Sequence, residues 1–95
     1  MFSWLAFWKR RRHTPLVVRM YTRVGCHLCE TAWTALEVAR DRWGFRLEAV
    51  DVDSDPNLAK THGAWVPVIT VNDKVRFRGI LNPVLLDRLL RQESR

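Results

Sequence analysis

Cysteine is scarce in this sequence: the 95 residues contain only two, Cys26 and Cys29. Two are too few for the disulfide framework that stabilises small secreted domains. A bond between them would close a very short loop, and the entropic gain from a disulfide shrinks as the loop shortens. Stapling the fold is therefore a weak explanation for the pair.

Long apolar runs are also missing. The longest aromatic and apolar stretch, Met1–Trp8, has eight residues, whereas a helix that spans a bilayer needs roughly 20. A basic run, Lys9–Arg12, follows this stretch, and a secretory signal has the opposite order, with the basic residues first. The sequence therefore predicts a cytoplasmic location.

Acidic residues are absent from the first 13 positions, so the four basic residues there contribute +4 to the formal net charge of +6. The remaining 12 basic and 10 acidic residues give +2. No basic face or base-stacking motif accompanies the basic run, so we do not expect nucleic-acid binding. Residues 1–14 are interpreted as a poorly ordered tail, and the alternatives are a weak contact with an anionic membrane or a partner, or packing on the domain.

Residues 15–95 have the length and the apolar content of a single domain, which we expect to be monomeric. Short β-branched segments and apolar residues at helical spacing predict its elements. Strands are predicted at Leu16–Thr22, Phe45–Val52, Val66–Val71 and Lys74–Gly79, and helices at His27–Gly44, between Asp55 and Gly63, and from Asn82 onward. The order β-α-β-α-β-β-α predicts an α/β fold with a four-stranded mixed sheet.

The cysteine pair falls where the first strand gives way to the first helix. Cys26 would precede or begin the helix, where free backbone N–H groups and the helix dipole favour a thiolate over a thiol. Cys29 would lie one turn further on the same face. This placement predicts that Cys26 attacks a substrate disulfide and that Cys29 resolves the mixed disulfide.

Two cysteines at this spacing can also hold a haem or a metal. A c-type haem site needs a histidine directly after the second cysteine, where this chain has Glu30. Zinc needs four ligands, and no histidines stand at ligand spacing to complete such a set, so no metal site is predicted. A shared iron–sulfur cluster, bound through the same loop in a non-catalytic carrier or sensor, remains the alternative function.

The chain resembles the glutaredoxin branch of the thioredoxin fold, and in particular the small bacterial glutaredoxin-like proteins. The resemblance covers roughly residues 16–92. It is carried by four segments: YTRVGCHLC from Tyr21, VDVDSDPNLAKTHG from Val50, WVPVITVND from Trp65, and FRG from Phe77. It implies a thiol–disulfide oxidoreductase of cell redox homeostasis with a redox-active disulfide, without a tightly bound cofactor, whose substrate is a disulfide-containing protein or a glutathione mixed disulfide.

Further site residues follow from the resemblance alone. It implies a cis peptide bond before Pro67, with the Val66 backbone aligning an extended substrate beside Cys26 by strand addition. Arg23 would contact a glutathione carboxylate, and its alternative is a solvated surface arginine. The remaining residues implied in substrate or glutathione binding are Trp65, His27 and Gly79. Trp65 could equally be a packed loop residue, and His27 a solvated residue of the first helical turn.

Two departures from the family pattern bear on the reductant. His27 stands where proline usually follows the first cysteine, and Arg78 with Gly79 replaces a glycine pair that is normally followed by an aspartate. These differences leave the disulfide chemistry untouched. They leave the choice between glutathione as a co-substrate and another dithiol open.

Overall fold

A computed structural model describes residues 16–93 of the chain. Four strands and three α-helices are found in this range. In chain order they are β1 Val17–Thr22, α1 His27–Trp43, β2 Arg46–Asp51, α2 Pro56–His62, β3 Val68–Val71, β4 Lys74–Arg78 and α3 Pro83–Glu93. The predicted order and fold class are confirmed. The predicted tail lies outside the described residues.

The sheet has the strand order β2-β1-β3-β4. Strand β1 pairs in parallel with β2, so that Thr22 lies level with Asp51. It pairs antiparallel with β3, where Tyr21 is opposite Val68, and β4 in turn places Arg78 opposite Val68. The end of β1, the start of β3 and the end of β4 therefore lie side by side at one end of the sheet, where the cysteine loop leaves β1.

Local sequence signals set the ends of the helices. Cys26 is the N-cap of α1, and Gly44 ends this helix with a φ of 73°, a left-handed conformation that glycine adopts without a Cβ clash. The side chain of Asn82 accepts hydrogen bonds from the N–H groups of Val84 and Leu85 at the start of α3. All three helix ends match the residues that the sequence predicts for them.

The third strand is shorter than predicted and begins at Val68 instead of Val66. Pro67 has no N–H to donate to a strand ladder. A 3₁₀ turn at Gly63–Trp65 ends just before Val66, the residue that precedes Pro67. A second 3₁₀ turn, Val52–Ser54, follows β2. The sequence predicted neither turn, and both lie close to the cysteine loop.

The core lies between the sheet and the two long helices. Trp43 of α1 donates its ring N–H to Asp87 of α3 at 3.2 Å, which ties these helices together on one face. The ring of Tyr21 stacks on His62 of α2 with centroids 4.4 Å apart. Because Tyr21 alternates with the buried Met20 along β1, the end of α2 lies on the other face. The buried residues of the core include Leu16, Val18, Met20, Cys29, Ala32, Leu36, Phe45, Ile69, Val71, Leu86, Leu89 and Leu90.

Candidate active site

The two cysteines are joined as a disulfide at the start of α1. Their Cα atoms are 5.2 Å apart, one helical turn along the chain. Cys26 is partly exposed, whereas Cys29 is only 3% exposed and belongs to the core cluster. The two cysteines therefore differ in accessibility: an external disulfide can approach Cys26, whereas burial shields Cys29 from it.

The backbone of the first helical turn points at the sulfur of Cys26. The N–H of Cys29 donates to this sulfur at 3.2 Å, in the geometry of an N-cap side chain. The N–H of Cys26 itself is taken up by the carbonyl oxygen of Arg23 at 3.1 Å. In the reduced protein, a donor at this position and the positive end of the helix dipole both favour negative charge on the Cys26 sulfur.

A cavity of about 550 Å³ opens beside the disulfide, between the start of α1 and the end of β2. Apolar side chains form much of its wall. Among its lining residues are both cysteines, Met20, Trp33, Ala49 and Asp51. An apolar group carried by a bound molecule therefore has room next to the sulfurs.

The Val66–Pro67 peptide bond is cis. Register places this segment beside the end of β1, because Val68, the next residue, is opposite Tyr21. The N–H of Gly79 donates to the carbonyl oxygens of Trp65 at 3.1 Å and of Pro67 at 2.8 Å, which holds the segment against the end of β4. The side chain of Trp65 is 60% exposed.

Arg23 makes contacts that the sequence does not indicate. Its Nε and Nη2 donate to the two carboxylate oxygens of Asp53 at 2.9 and 3.0 Å, and its Nη1 donates to the carbonyl oxygen of Gly63 at 3.2 Å. The forked pair raises the pKa of Arg23 and lowers that of Asp53, mainly through these hydrogen bonds. Binding of a glutathione carboxylate by Arg23 remains a prediction, for which two N–H bonds of the guanidinium group are left.

His27 lies in the first turn of α1 with its side chain directed to solvent. Its Nδ1 is 3.8 Å from Oε1 of Glu30, too long for a hydrogen bond that would orient the ring. Within residues 16–93, no three side chains of His, Cys, Asp or Glu come together as a metal-binding group. None of the helices in this range is both long and apolar enough to cross a bilayer.

Asp53 and Gly63 are the residues at this site that sequence reasoning missed. Both lie within VDVDSDPNLAKTHG, a segment that supports the family resemblance, but the sequence predicts no role at the active site for either of them. They contact Arg23 from 30 and 40 residues further along the chain. Contacts at this separation follow from the packing of α2 and the two 3₁₀ turns, for which no local pattern exists.

Comparison with known families identifies one match. Residues 17–92 match a family model described as a glutaredoxin-like domain (DUF836). This range runs from the first residue of β1 to the last turn of α3 and includes both cysteines. Among curated proteins, none matches the sequence significantly.

Solved structures of similar proteins share the fold. Protein Ne2328 from Nitrosomonas europaea is 28% identical, with a TM-score of 0.70 over 80% of this chain and 92% of that one. Protein XcR50 from X. campestris is also 28% identical, with a TM-score of 0.67 over 79% and 96% of the two chains. Mitochondrial thioredoxin 3 from Saccharomyces cerevisiae, in its oxidised form, is 18% identical and has a TM-score of 0.62 over 93% and 89%. At 18% identity, the likeness to thioredoxin shows the fold alone.

Proposed function

Because the chain belongs to the glutaredoxin-like (DUF836) family, we propose that it is a thiol–disulfide oxidoreductase with Cys26 as nucleophile and Cys29 as resolving cysteine. One observation carries this assignment. The more exposed cysteine, Cys26, is the N-cap of α1 and its sulfur accepts the Cys29 N–H, while Cys29 itself is buried one turn further along the helix. The first position stabilises a thiolate on Cys26, and burial at the second position shields Cys29 from external disulfides.

The reaction is a two-step exchange. The Cys26 thiolate attacks one sulfur of a substrate disulfide, so that a Cys26–substrate disulfide forms and the other substrate sulfur leaves as a thiolate that takes a proton from water. Cys29 then loses its proton and attacks the Cys26 sulfur, which releases the second substrate thiolate. Two electrons have passed to the substrate, and the protein is left with the Cys26–Cys29 disulfide.

An external thiol must return the two electrons. Two glutathione molecules would give glutathione disulfide, and a dithiol would give its own cyclic or internal disulfide. Arg78, exposed at the end of β4, stands where the family has a glycine that approaches glutathione. Because this departure does not decide between the two reductants, we propose that the electron donor is either glutathione or a dithiol.

The substrate would bind at the end of the sheet where the ends of β1 and β4 lie beside the start of β3. The Val66 backbone beside cis-Pro67 offers an N–H and a carbonyl group to an extended segment, in the manner of strand addition. Trp65 and Leu28 are exposed apolar side chains on the two segments concerned. These features support a protein disulfide as substrate, and we propose that His27 and Gly79 contact it as well.

The wider assignments follow from the sequence and the proposed chemistry. We propose a cytoplasmic location, where thiol pools would keep a dithiol of this kind reduced. We propose that residues 15–95 act as a monomer and that residues 1–14 take no part in the exchange. A weak membrane or partner contact of this tail would leave the exchange itself unchanged.

Cysteine substitutions test the proposal. Reduction of a peptide disulfide, with a small dithiol as electron donor, should be abolished in Cys26→Ser. When reduced Cys29→Ser is mixed with the peptide disulfide in the absence of the small dithiol, a mixed disulfide on Cys26 should accumulate and be detected by mass spectrometry. Thr31→Ser, an exposed change on the same helix, is the control and should keep full activity. Full activity in Cys26→Ser would refute the proposed roles.

A further inference from the structure

The guanidinium group of Arg23 joins three segments of the site. Arg23 follows β1 in the loop that leads to Cys26. Its guanidinium group donates two hydrogen bonds to the carboxylate of Asp53, in the 3₁₀ turn after β2. Its Nη1 reaches the carbonyl oxygen of Gly63, the first residue of the 3₁₀ turn that leads to Val66. One side chain thus spans from the cysteine loop to the segment before cis-Pro67.

Gly63 provides the space for this contact. A Cβ atom built on Gly63 would lie 2.8 Å from Nη2 of Arg23, and its three nearest atoms all belong to the guanidinium group. The backbone of Gly63 has φ −56° and ψ −36°, values that any L-residue adopts. Glycine is therefore needed here for the close approach of Arg23 and not for an unusual backbone conformation.

The backbone of Arg23 is tied directly to the nucleophile. Its carbonyl oxygen accepts the N–H of Cys26 at 3.1 Å. On the other side, His62 directly precedes Gly63 and stacks on Tyr21, two residues before Arg23. The Arg23–Gly63 hydrogen bond and the contact between Tyr21 and His62 therefore both hold the segment before Val66 against the end of β1 and the loop that follows it.

We propose that Arg23, Asp53 and Gly63 form a latch that fixes the position of the Cys26 loop relative to the Val66 backbone, so that Arg23 is a positioning residue of the exchange reaction. This inference rests on the proposed function. It assigns roles to Asp53 and Gly63, and it gives Arg23 a role that does not depend on which disulfide is bound.

The size of the two effects separates positioning from stability. The side chains of Arg23 and Asp53 are 40% and 51% exposed, and ion pairs this exposed contribute little to the free energy of unfolding. Geometry at a reacting centre is far more sensitive, since a misplacement of about 1 Å can slow a reaction about 100-fold. Loss of the latch should therefore lower the exchange rate much more than it lowers stability.

The test compares three variants on two substrates. Arg23→Gln removes the fork, Asp53→Asn removes its charged partner, and Gly63→Ala displaces the guanidinium group while keeping an allowed backbone. Arg88→Gln and Asp41→Asn, at exposed positions on α3 and α1, are the matched controls. The substrates are glutathione disulfide and a neutral cyclic peptide disulfide with blocked termini, with dithiothreitol as electron donor.

The latch predicts the same loss on both substrates. Each of the three variants should lower kcat/KM by about tenfold, mainly through kcat, with urea unfolding midpoints close to those of the wild type. The double variant Arg23→Gln/Asp53→Asn should be no slower than the slower single variant, because both changes break one unit. The two controls should keep wild-type rates.

A substrate contact predicts a different pattern. If Arg23→Gln raises KM for glutathione disulfide only, while Asp53→Asn and Gly63→Ala keep wild-type rates, Arg23 binds the glutathione carboxylate and the latch is overturned. A fall in kcat/KM that is accompanied by a large fall in the urea unfolding midpoint in all three variants would also overturn the latch, in favour of a purely structural role. Wild-type protein that reduces neither substrate would instead reject the oxidoreductase assignment itself.

Discussion

At the scale of single residues, the most informative interaction is the forked pair of Arg23 with Asp53. Asp53 follows Asp51, whose side chain accepts the Asp53 N–H at 2.9 Å and so shapes the turn that presents the Asp53 carboxylate. The carboxylate then accepts two hydrogen bonds from Arg23. Charged partners of this kind depend on pH, which gives a direct way to observe the pair in solution.

The hydrogen bonds from Arg23 lower the pKa of Asp53 in the folded protein, compared with about 3.9 in an unfolded chain. The stability that they contribute is therefore fully present above about pH 4 and is lost as the pH falls through the lower, folded pKa. Relative to Asp53→Asn, the wild type should have a small advantage in unfolding free energy at neutral pH that disappears on acidification.

Urea unfolding of both proteins at several pH values from neutral into the acid range measures this difference. Asp41→Asn serves as the control, since the ion pair that Asp41 makes within residues 16–93 is a single contact with Nε of Arg40 at 3.9 Å and not a fork. A difference between wild type and Asp53→Asn that stays constant down to about pH 2, below the ordinary carboxyl pKa, would contradict the assigned pairing.

At the scale of elements, the ends of the helices follow from local rules and the turns between them do not. Cys26 and Gly44 bound α1 as expected because N-cap and C-cap geometry involves only neighbouring residues. Asn72 and Asp73 have φ values of 49° and 69° in the turn between β3 and β4, and turn geometry of this kind is likewise set by neighbouring residues. The sequence therefore predicts the position of the cysteine pair on the fold correctly.

The missed features depend on contacts between distant segments. The 3₁₀ turns at Val52–Ser54 and Gly63–Trp65 lie on either side of α2, and Arg23 contacts both of them across 30 and 40 residues of sequence. Residue propensities and local spacing carry no information about contacts between residues this far apart in the sequence. The cysteine pair was found because its two members are neighbours, whereas the latch was not, because its members meet only in the folded chain.

The cap of α3 provides a prediction for an element. The Asn82 side chain satisfies two N–H groups of the first turn of this helix, and loss of an N-cap residue costs about 1 kcal/mol. Asn82→Ala should lower the free energy of unfolding by about this amount, as measured by urea denaturation. Asn57→Ala, at an exposed position in α2, is the control and should change it by less than about 0.5 kcal/mol.

Activity distinguishes this cap from the site. Asn82 directly precedes α3, three residues after Gly79, and it contacts neither cysteine in the described hydrogen bonds. The exchange rate of Asn82→Ala should therefore stay at the wild-type value at temperatures where the variant is folded. A loss of rate without a loss of stability would show that α3 takes part in substrate binding.

At the scale of the whole molecule, a small core must support a site that presents a reactive sulfur to solvent. A chain of this size has a free energy of unfolding of about 5–14 kcal/mol. Cys29 belongs to the buried cluster that also contains Leu36 of α1. The resolving cysteine is thus part of the packing that keeps α1 on the sheet, so a weakened core affects both stability and the second step of the exchange.

Leu36 and Val38 test this dependence as a matched pair on α1. Leu36 is fully buried, at 0% exposure, whereas Val38 is 67% exposed. Leu36→Ala should lower the free energy of unfolding by about 3 kcal/mol, because it removes apolar contacts and leaves a cavity in the core. Val38→Ala should change it by less than about 0.5 kcal/mol. The two variants remove similar chemical groups from the same helix and differ mainly in burial.

The same pair connects stability to chemistry. Looser packing around α1 exposes Cys29, so in reduced Leu36→Ala the alkylation of Cys29 by iodoacetamide should be faster than in the wild type, while that of Cys26 changes little. Mass spectrometry of peptides from the alkylated protein measures the two sites separately. Equal protection of Cys29 in Leu36→Ala and Val38→Ala would mean that its burial depends on the first turn of α1 and not on the core as a whole.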